Sequence, residues 1–330
     1  MPLELWLAGV VMVSLNLYAL GAGADFGGGV WDMLARGPRE RAQRETIAHA
    51  IGPIWEANHV WLILVIVLLF VAFPVAFAAL ATALHIPLTL MLIGIVLRGS
   101  AFTFRGYGGQ DDAVQRRWGR TFAMASVVTP LMLGVCAGAV ASGAIRMRGG
   151  RVVTDFVSAW LAPFPLSIGL FTLALFAFLA AVYLTLETED RPLQDDFRRR
   201  ALLAALAVGA MALVCFLLSS SGAPSIRRGL AREWWSLPFQ AVTGLVAAGA
   251  IGALWTRRFP LARVLAMAQV TLVLWGWGLA QFPYLIEPDL TFEAAAAPAT
   301  VLRPLLAALG AGAVVAGPSL LYLYRVFKAR

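Results

Sequence analysis

Apolar residues run along this chain in long unbroken stretches, without the alternation of a half-buried strand or the three-to-four spacing of a surface helix. Nine stretches are long enough, at about 1.5 Å per helical residue, to cross a hydrocarbon layer of about 30 Å. They lie near residues 3–25, 57–77, 79–100, 121–143, 160–186, 201–219, 237–255, 262–283 and 303–326. The second and third nearly merge, since Val60 to Leu97 is broken in polarity only by Thr82, His85 and Thr89. As one helix that run would measure roughly 57 Å, too long for a single crossing. Pro74 and Pro87 predict a tight hairpin at 77–79.

The expected fold is all-α: a polytopic bundle of nine transmembrane helices forming a single integral membrane domain over residues 1–330. The longest polar connection, 26–56, is too short to hide a soluble domain. The pairs Gly23/Gly27 and Gly134/Gly138 predict close helix packing. Trp6, Trp55, Trp160, Trp234, Trp235 and Trp255 fall near span ends, as an interfacial belt requires.

Composition agrees. Apolar residues make up 60% of the chain and charged residues 13%, against about 25% charged in soluble domains. Disorder is excluded by the same balance. A net charge of +8 would suggest nucleic acid in a soluble protein. Here the arginines cluster between apolar runs, which fits lipid headgroups and orientation signals, so no nucleic-acid partner is expected. Counted on alternate sides, 19 Lys and Arg face 7. The positive-inside rule then predicts a cytoplasmic C-terminus and an external N-terminus. Met1-Pro2-Leu3-Glu4 lacks a basic region, and the first Lys or Arg is Arg36, so the first span does not read as a cleaved signal.

This topology gathers Asp25 at the end of the first span, Glu56 and His59 at the start of the second, and Arg98 with Arg105 at the end of the third. Glu56 and His59, three apart, share a helix face. Arg98 and Arg105 share one if the helix continues through Phe102. Ionisable groups at membrane depth pair with one another or line a water path. Two readings stand side by side: an ion-pair girdle with Asp25 capping a turn, or a proton path with Asp25 and Glu56 as its carboxylates.

His49 reads as solvated in a polar loop, His85 as a packing residue, and Cys136 and Cys215 as small buried hydrophobes. GAGADFGGG fails as a dinucleotide fingerprint, because the last glycine would fall on Phe26 and the segment follows a membrane span instead of a strand. No zinc spacing or haem-attachment pattern occurs, so no metal site is expected on the chain, and redox ligands would come from a partner. The rival reading, a secondary transporter or ion-conducting protein, would show mid-membrane polar groups in repeated halves, and no convincing repeat is present.

Four segments carry a resemblance. GAGADFGGGVWDML (21–34) resembles the G-F-D-x-G-V-G-x-L pattern ending the first span of subunit II of cytochrome bd-type quinol oxidases. IGPIWEANHVWLI (51–63) is similar to that family's I-x-P-x-W-[DE]-x-N-x-V-W-L-I signature, and LRGSAFTFR (97–105) to its [FL]-R-x-x-[AG]-F-x-[FY]-R segment. WGWGLAQFPYLIEPDLT (275–291) resembles the short, cyanide-insensitive branch. The sequence departs in having Ala24 for the usual aromatic, a glycine-rich turn shifted by Gly29 and Val30, and Glu56 where Asp is common.

The resemblance implies a bacterial inner-membrane complex, a terminal respiratory oxidase that oxidises quinol and reduces oxygen to water. Haems b and d and the quinol site would sit in a larger subunit I, with none on this chain. Membrane lipids and quinone are expected partners, and room is left for a small single-span accessory subunit. Carried over by position, Asp25 and Glu56 would be proton-path carboxylates. Asn58, His59, Arg98 and Arg105 would be supporting polar or charge-tuning residues.

Overall fold

The structure, a computed structural model, describes residues 2–52, 55–107 and 112–328. In chain order the helices are α1 (Leu3–Met33), α2 (Glu40–Ile51), α3 (Trp55–Ala72), α4 (Pro74–Ala83), α5 (His85–Tyr107), α6 (Asp112–Ala141), α7 (Pro163–Leu184), α8 (Arg191–Gly222), α9 (Pro224–Arg232), α10 (Ser236–Trp255), α11 (Phe259–Gln281), α12 (Phe292–Ala295) and α13 (Ala299–Lys328). Two small hairpins pair β1 (Met147–Arg148) with β2 (Arg151–Val152) and β3 (Tyr284–Ile286) with β4 (Leu290–Thr291). Among the described residues, nine helices are long and apolar enough to cross a membrane: α1, α3, α5, α6, α7, α8, α10, α11 and α13.

Local chemistry sets many of the starts. Proline occupies the first turn of α4, α7, α8, α9 and α11. There its missing N–H costs nothing and its fixed φ is already helical. Gly149 and Gly150, with φ of 55° and 76°, form the two-residue turn between β1 and β2 that only positive φ allows.

α1 lies at the centre and packs on α3, α6, α7 and α11, while α7 is sandwiched between α6 and α8. α13 packs mainly on α1 and α3, with 6% of its span buried. The α1–α7 and α6–α7 contacts use the glycine pairs. A Cβ on Gly27 would collide with the Phe176 carbonyl, one on Gly23 would lie 2.8 Å from the Phe176 ring, and one on Gly138 would lie 2.7 Å from Pro165 Cα.

Two expectations change. The first span continues to Met33, so Asp25 lies within a helix and caps no turn. Five glycines in Gly21–Gly29 each lower helix propensity by about 1 kcal/mol relative to alanine. The tight packing that their missing side chains permit outweighs that cost. Nor is there a hairpin at 77–79. Phe73 (φ −133°, ψ 57°) breaks the α3 helix, and the apolar α4 connects it to α5. The Ala297 N–H satisfies the Ala72 carbonyl freed by the break, at 2.8 Å.

The two ends of the bundle differ. One, the basic end, carries α2 and the starts of α8 and α11. α2 turns the expected polar loop into an amphipathic helix with Gln43, Ile47 and Ile51 buried. Arg39 clamps it to α8 by a bidentate bond to Asp196 (2.7 and 2.6 Å), which also accepts from Gln43 at 2.9 Å. At the opposite end, Asp289 in the β3–β4 turn accepts both Arg146 Nε and Nη2, at 2.9 and 3.0 Å, and the Met147 N–H at 2.7 Å. Arg146 thereby holds the Asp289 carboxyl below the usual carboxylate range.

Candidate functional site

Asp25 lies eight residues before Met33, about 12 Å from the last turn of α1, and is 5% exposed. Asn58 Nδ2, from α3, donates to Asp25 Oδ2 at 2.7 Å. The amide fits because residue 21, one turn away on α1, is glycine: a Cβ there would lie 2.5 Å from Asn58 Oδ1.

Arg98, on α5, is only 2% exposed. Its Nη2 donates to the Asp25 main-chain carbonyl at 3.0 Å, and its Nε to Ser126 Oγ on α6 at 3.3 Å. The guanidinium sits 4.9 Å from the centre of the Phe26 ring and 5.1 Å from that of Phe122. Neutral oxygens and aromatic faces thus solvate a charge that a protein interior cannot remove from arginine. Gly29 makes the Ser126 contact feasible, since a Cβ there would occupy the space of its hydroxyl.

His59 is half-buried in an aromatic box, its ring centre 5.8 Å from Tyr18, 5.9 Å from Phe26 and 6.2 Å from Trp55. Glu56 is exposed in the first turn of α3. The structure therefore brings Asp25, Asn58, His59 and Arg98 together and leaves Glu56 at the rim. The side chain of Arg105 lies outside the described residues. His49 is exposed on α2, and His85, at the far end of the bundle, rests against Phe156 at 4.9 Å. Cys136 and Cys215 are buried thiols.

Sequence reasoning missed Tyr18, Ser126 and the sockets at Gly21 and Gly29. Tyr18 stood seven residues before Asp25, on the same helix face, which was a usable signal. Ser126 carried none, because its partner is remote in sequence.

Residues 3–327 match the family described as cytochrome bd terminal oxidase subunit II. The chain belongs to this family. It is 31% identical over 132 residues to cytochrome bd ubiquinol oxidase subunit 2 of Bacillus subtilis (strain 168), a match covering 40% of this chain and 38% of that protein. A second protein of that organism, named as a candidate cytochrome bd menaquinol oxidase subunit II, is 22% identical across 94% of this chain and 91% of its own length. Cytochrome bd-I ubiquinol oxidase subunit 2 of Escherichia coli (strain K12) is 29% identical over 64% of this chain and 54% of that protein. The chain thus spans well under two thirds of two of these three relatives.

In fold the chain is similar to a bd oxidase from Geobacillus thermodenitrificans, with a TM-score of 0.82 over 99% of both chains at 22% identity. As a member of this family with nine helices, among the described residues, long and apolar enough to span a membrane, the protein is a multi-pass protein of the bacterial inner membrane.

Proposed function

We propose that this chain is the haem-free subunit of a complex that oxidises quinol and reduces oxygen, and that Asp25 takes up protons for that reaction from the cytoplasm. One observation carries the reading: a carboxylate 5% exposed is held by a buried Asn58 amide beside a buried arginine, eight residues from the end of α1 at the basic side. The excess of Lys and Arg on that side orients it toward the cytoplasm.

Glu56 would collect protons at the rim, two residues before Asn58 on the same helix. Asn58 would hold Asp25 in place, and Arg98 would stabilise its ionised form between proton arrivals. The histidines do not fit a haem: His59 is enclosed by three aromatic rings, and His85 lies at the other end of the bundle. Haems b and d and the site of quinol oxidation are assigned to a larger partner subunit I, as the family resemblance implies. Where oxygen reduction near the outer face draws protons outward from the cytoplasm, each charge moves against the membrane potential and stores about 2.3 kcal/mol per 100 mV.

The test is oxygen consumption per haem in the assembled complex carrying Asp25→Asn or Glu56→Gln. Haem content should hold while turnover falls by about tenfold or more, with Glu56→Asp milder because it keeps a titratable group. Full turnover in both amide variants would remove the proton role. Haem and activity lost together would make both residues braces of the bundle.

A further inference from the structure

We propose that Tyr18 and His59 hold a buried water beyond Asp25, and that this water is the next proton carrier after the carboxylate. The proposal rests on the proton-uptake reading above and extends it toward the middle of the membrane.

Tyr18 is 1% exposed, and its hydroxyl is buried with no hydrogen-bond partner among the described residues. His59 Nδ1 is in the same condition. The two ring centres lie 5.8 Å apart, with planes tilted by 50°. Two buried polar atoms on adjoining rings, neither satisfied among the described residues, are what an ordered internal water serves to satisfy.

Several other buried hydroxyls solve the problem differently, while Thr129 shares with Tyr18 the lack of a partner among the described residues. Ser14, Ser167 and Thr185 turn back onto carbonyls three or four residues earlier, at 2.7–2.8 Å. A tyrosine ring is too long and rigid for that, so its hydroxyl must be satisfied away from its own helix. The surroundings are polar enough for water, because the charge of Arg98 acts on both Tyr18 and His59, and that of Asp25 on Tyr18. Phe26 and Trp55 stand against the His59 ring edge-on, at 5.9 and 6.2 Å between centres.

Such a water accepts a hydrogen bond from the Tyr18 hydroxyl and donates one to His59 Nδ1. A proton gained from the Asp25 side on the water oxygen is balanced by one passed from the water to His59 Nδ1, so that water and Tyr18 are unchanged and the imidazole carries the proton. Tyr18 is therefore a positioning residue, placed seven residues, or about 10 Å along the helix, from Asp25.

X-ray radiolytic labelling of the assembled wild-type complex tests the water directly, because buried side chains are oxidised where water lies beside them. Corrected for intrinsic reactivity, Tyr18 should label several-fold faster than Phe73, which is equally buried in an apolar cluster. Labelling of Tyr18 no faster than that control overturns the water site, whatever the variants do. The relay role is read from Tyr18→Phe, which should keep haem content, lower turnover by about three- to tenfold and change the solvent deuterium isotope effect. If Asp25→Asn is slow but Tyr18→Phe turns over fully, the relay fails and the uptake role of Asp25 stands. If Asp25→Asn also turns over fully, both fail.

Discussion

Asn58 reaches Asp25 at 2.7 Å across the space that Gly21 leaves open on the same face of α1. The hydrogen bond thus depends on a side chain that is absent, and the glycines of α1 act as sockets for residues from other helices.

Gly21→Ala should therefore destabilise the complex by about 1–3 kcal/mol, the usual cost of overpacking. Gly9→Ala should cost nothing and can stabilise by up to about 1 kcal/mol, since nothing lies within 4 Å of the added Cβ and alanine is the better helix former. Heating detergent-solubilised complexes and following haem release compares the two. Equal midpoints would show that the Asn58 pocket yields freely.

Arg98→Ala should cost about 3–5 kcal/mol, or prevent assembly, because a buried carboxylate loses its neighbouring charge. Arg41→Ala, which removes a guanidinium 93% exposed, should change little. Arg98→Lys should recover only part, since an ammonium cannot reproduce the planar donation to the Asp25 carbonyl and Ser126 between two rings. Yield of assembled complex per membrane protein ranks the three variants, and full recovery by lysine would refute the geometric argument.

The Arg146–Asp289 pair should tie the two hairpins together in a pH-dependent way. Because Arg146 lowers the Asp289 pKa, the contact is fully stabilising above the unfolded value near 3.9 and is lost as pH falls through the lower folded value. Asp289→Asn should increase tryptic cleavage at Arg148 and Arg151 at neutral pH. In pepsin digests the gap between variant and wild type should close as the pH drops below about 4. A gap unchanged across pH would show that the carboxylate charge is not what holds the loop.

The Arg39–Asp196 clamp should contribute under about 1 kcal/mol, because Arg39 is 41% exposed. Asp196→Arg should speed hydrogen exchange in Glu40–Ile51, and adding Arg39→Asp should slow it again. Failure of the reversed pair to restore protection would assign α2 docking to Ile47 and Ile51 alone.

Much of this protein could be read from its sequence. Nine apolar runs account for the nine helices, among the described residues, long and apolar enough to span, because a backbone in hydrocarbon must satisfy its own hydrogen bonds and a helix does so locally. The family likeness carried in 21–34, 51–63, 97–105 and 275–291 likewise needed only the order of residues. Gly27 and Gly138 announced close packing by their spacing, although the spacing did not name Phe176 or Pro165 as the surfaces approached.

What the sequence left open depended on distance along the chain. Propensity alone ends α1 near Asp25, whereas contacts with α3, α6 and α7 extend it to Met33 and place Asp25 inside a packed helix. Sequence spacing put Glu56 with His59, yet the α1–α3 contact brings Asn58 to the carboxylate and leaves Glu56 at the rim. Arg98 meets Asp25 from 73 residues away and Ser126 from 28, and Tyr18 meets His59 across two helices. Helix formation in a membrane is decided by local hydrogen bonding and transfer of apolar side chains, so composition and order suffice for it. Which polar atoms share a buried pocket is decided by helix rotation and packing, and those exist only once the helices have met.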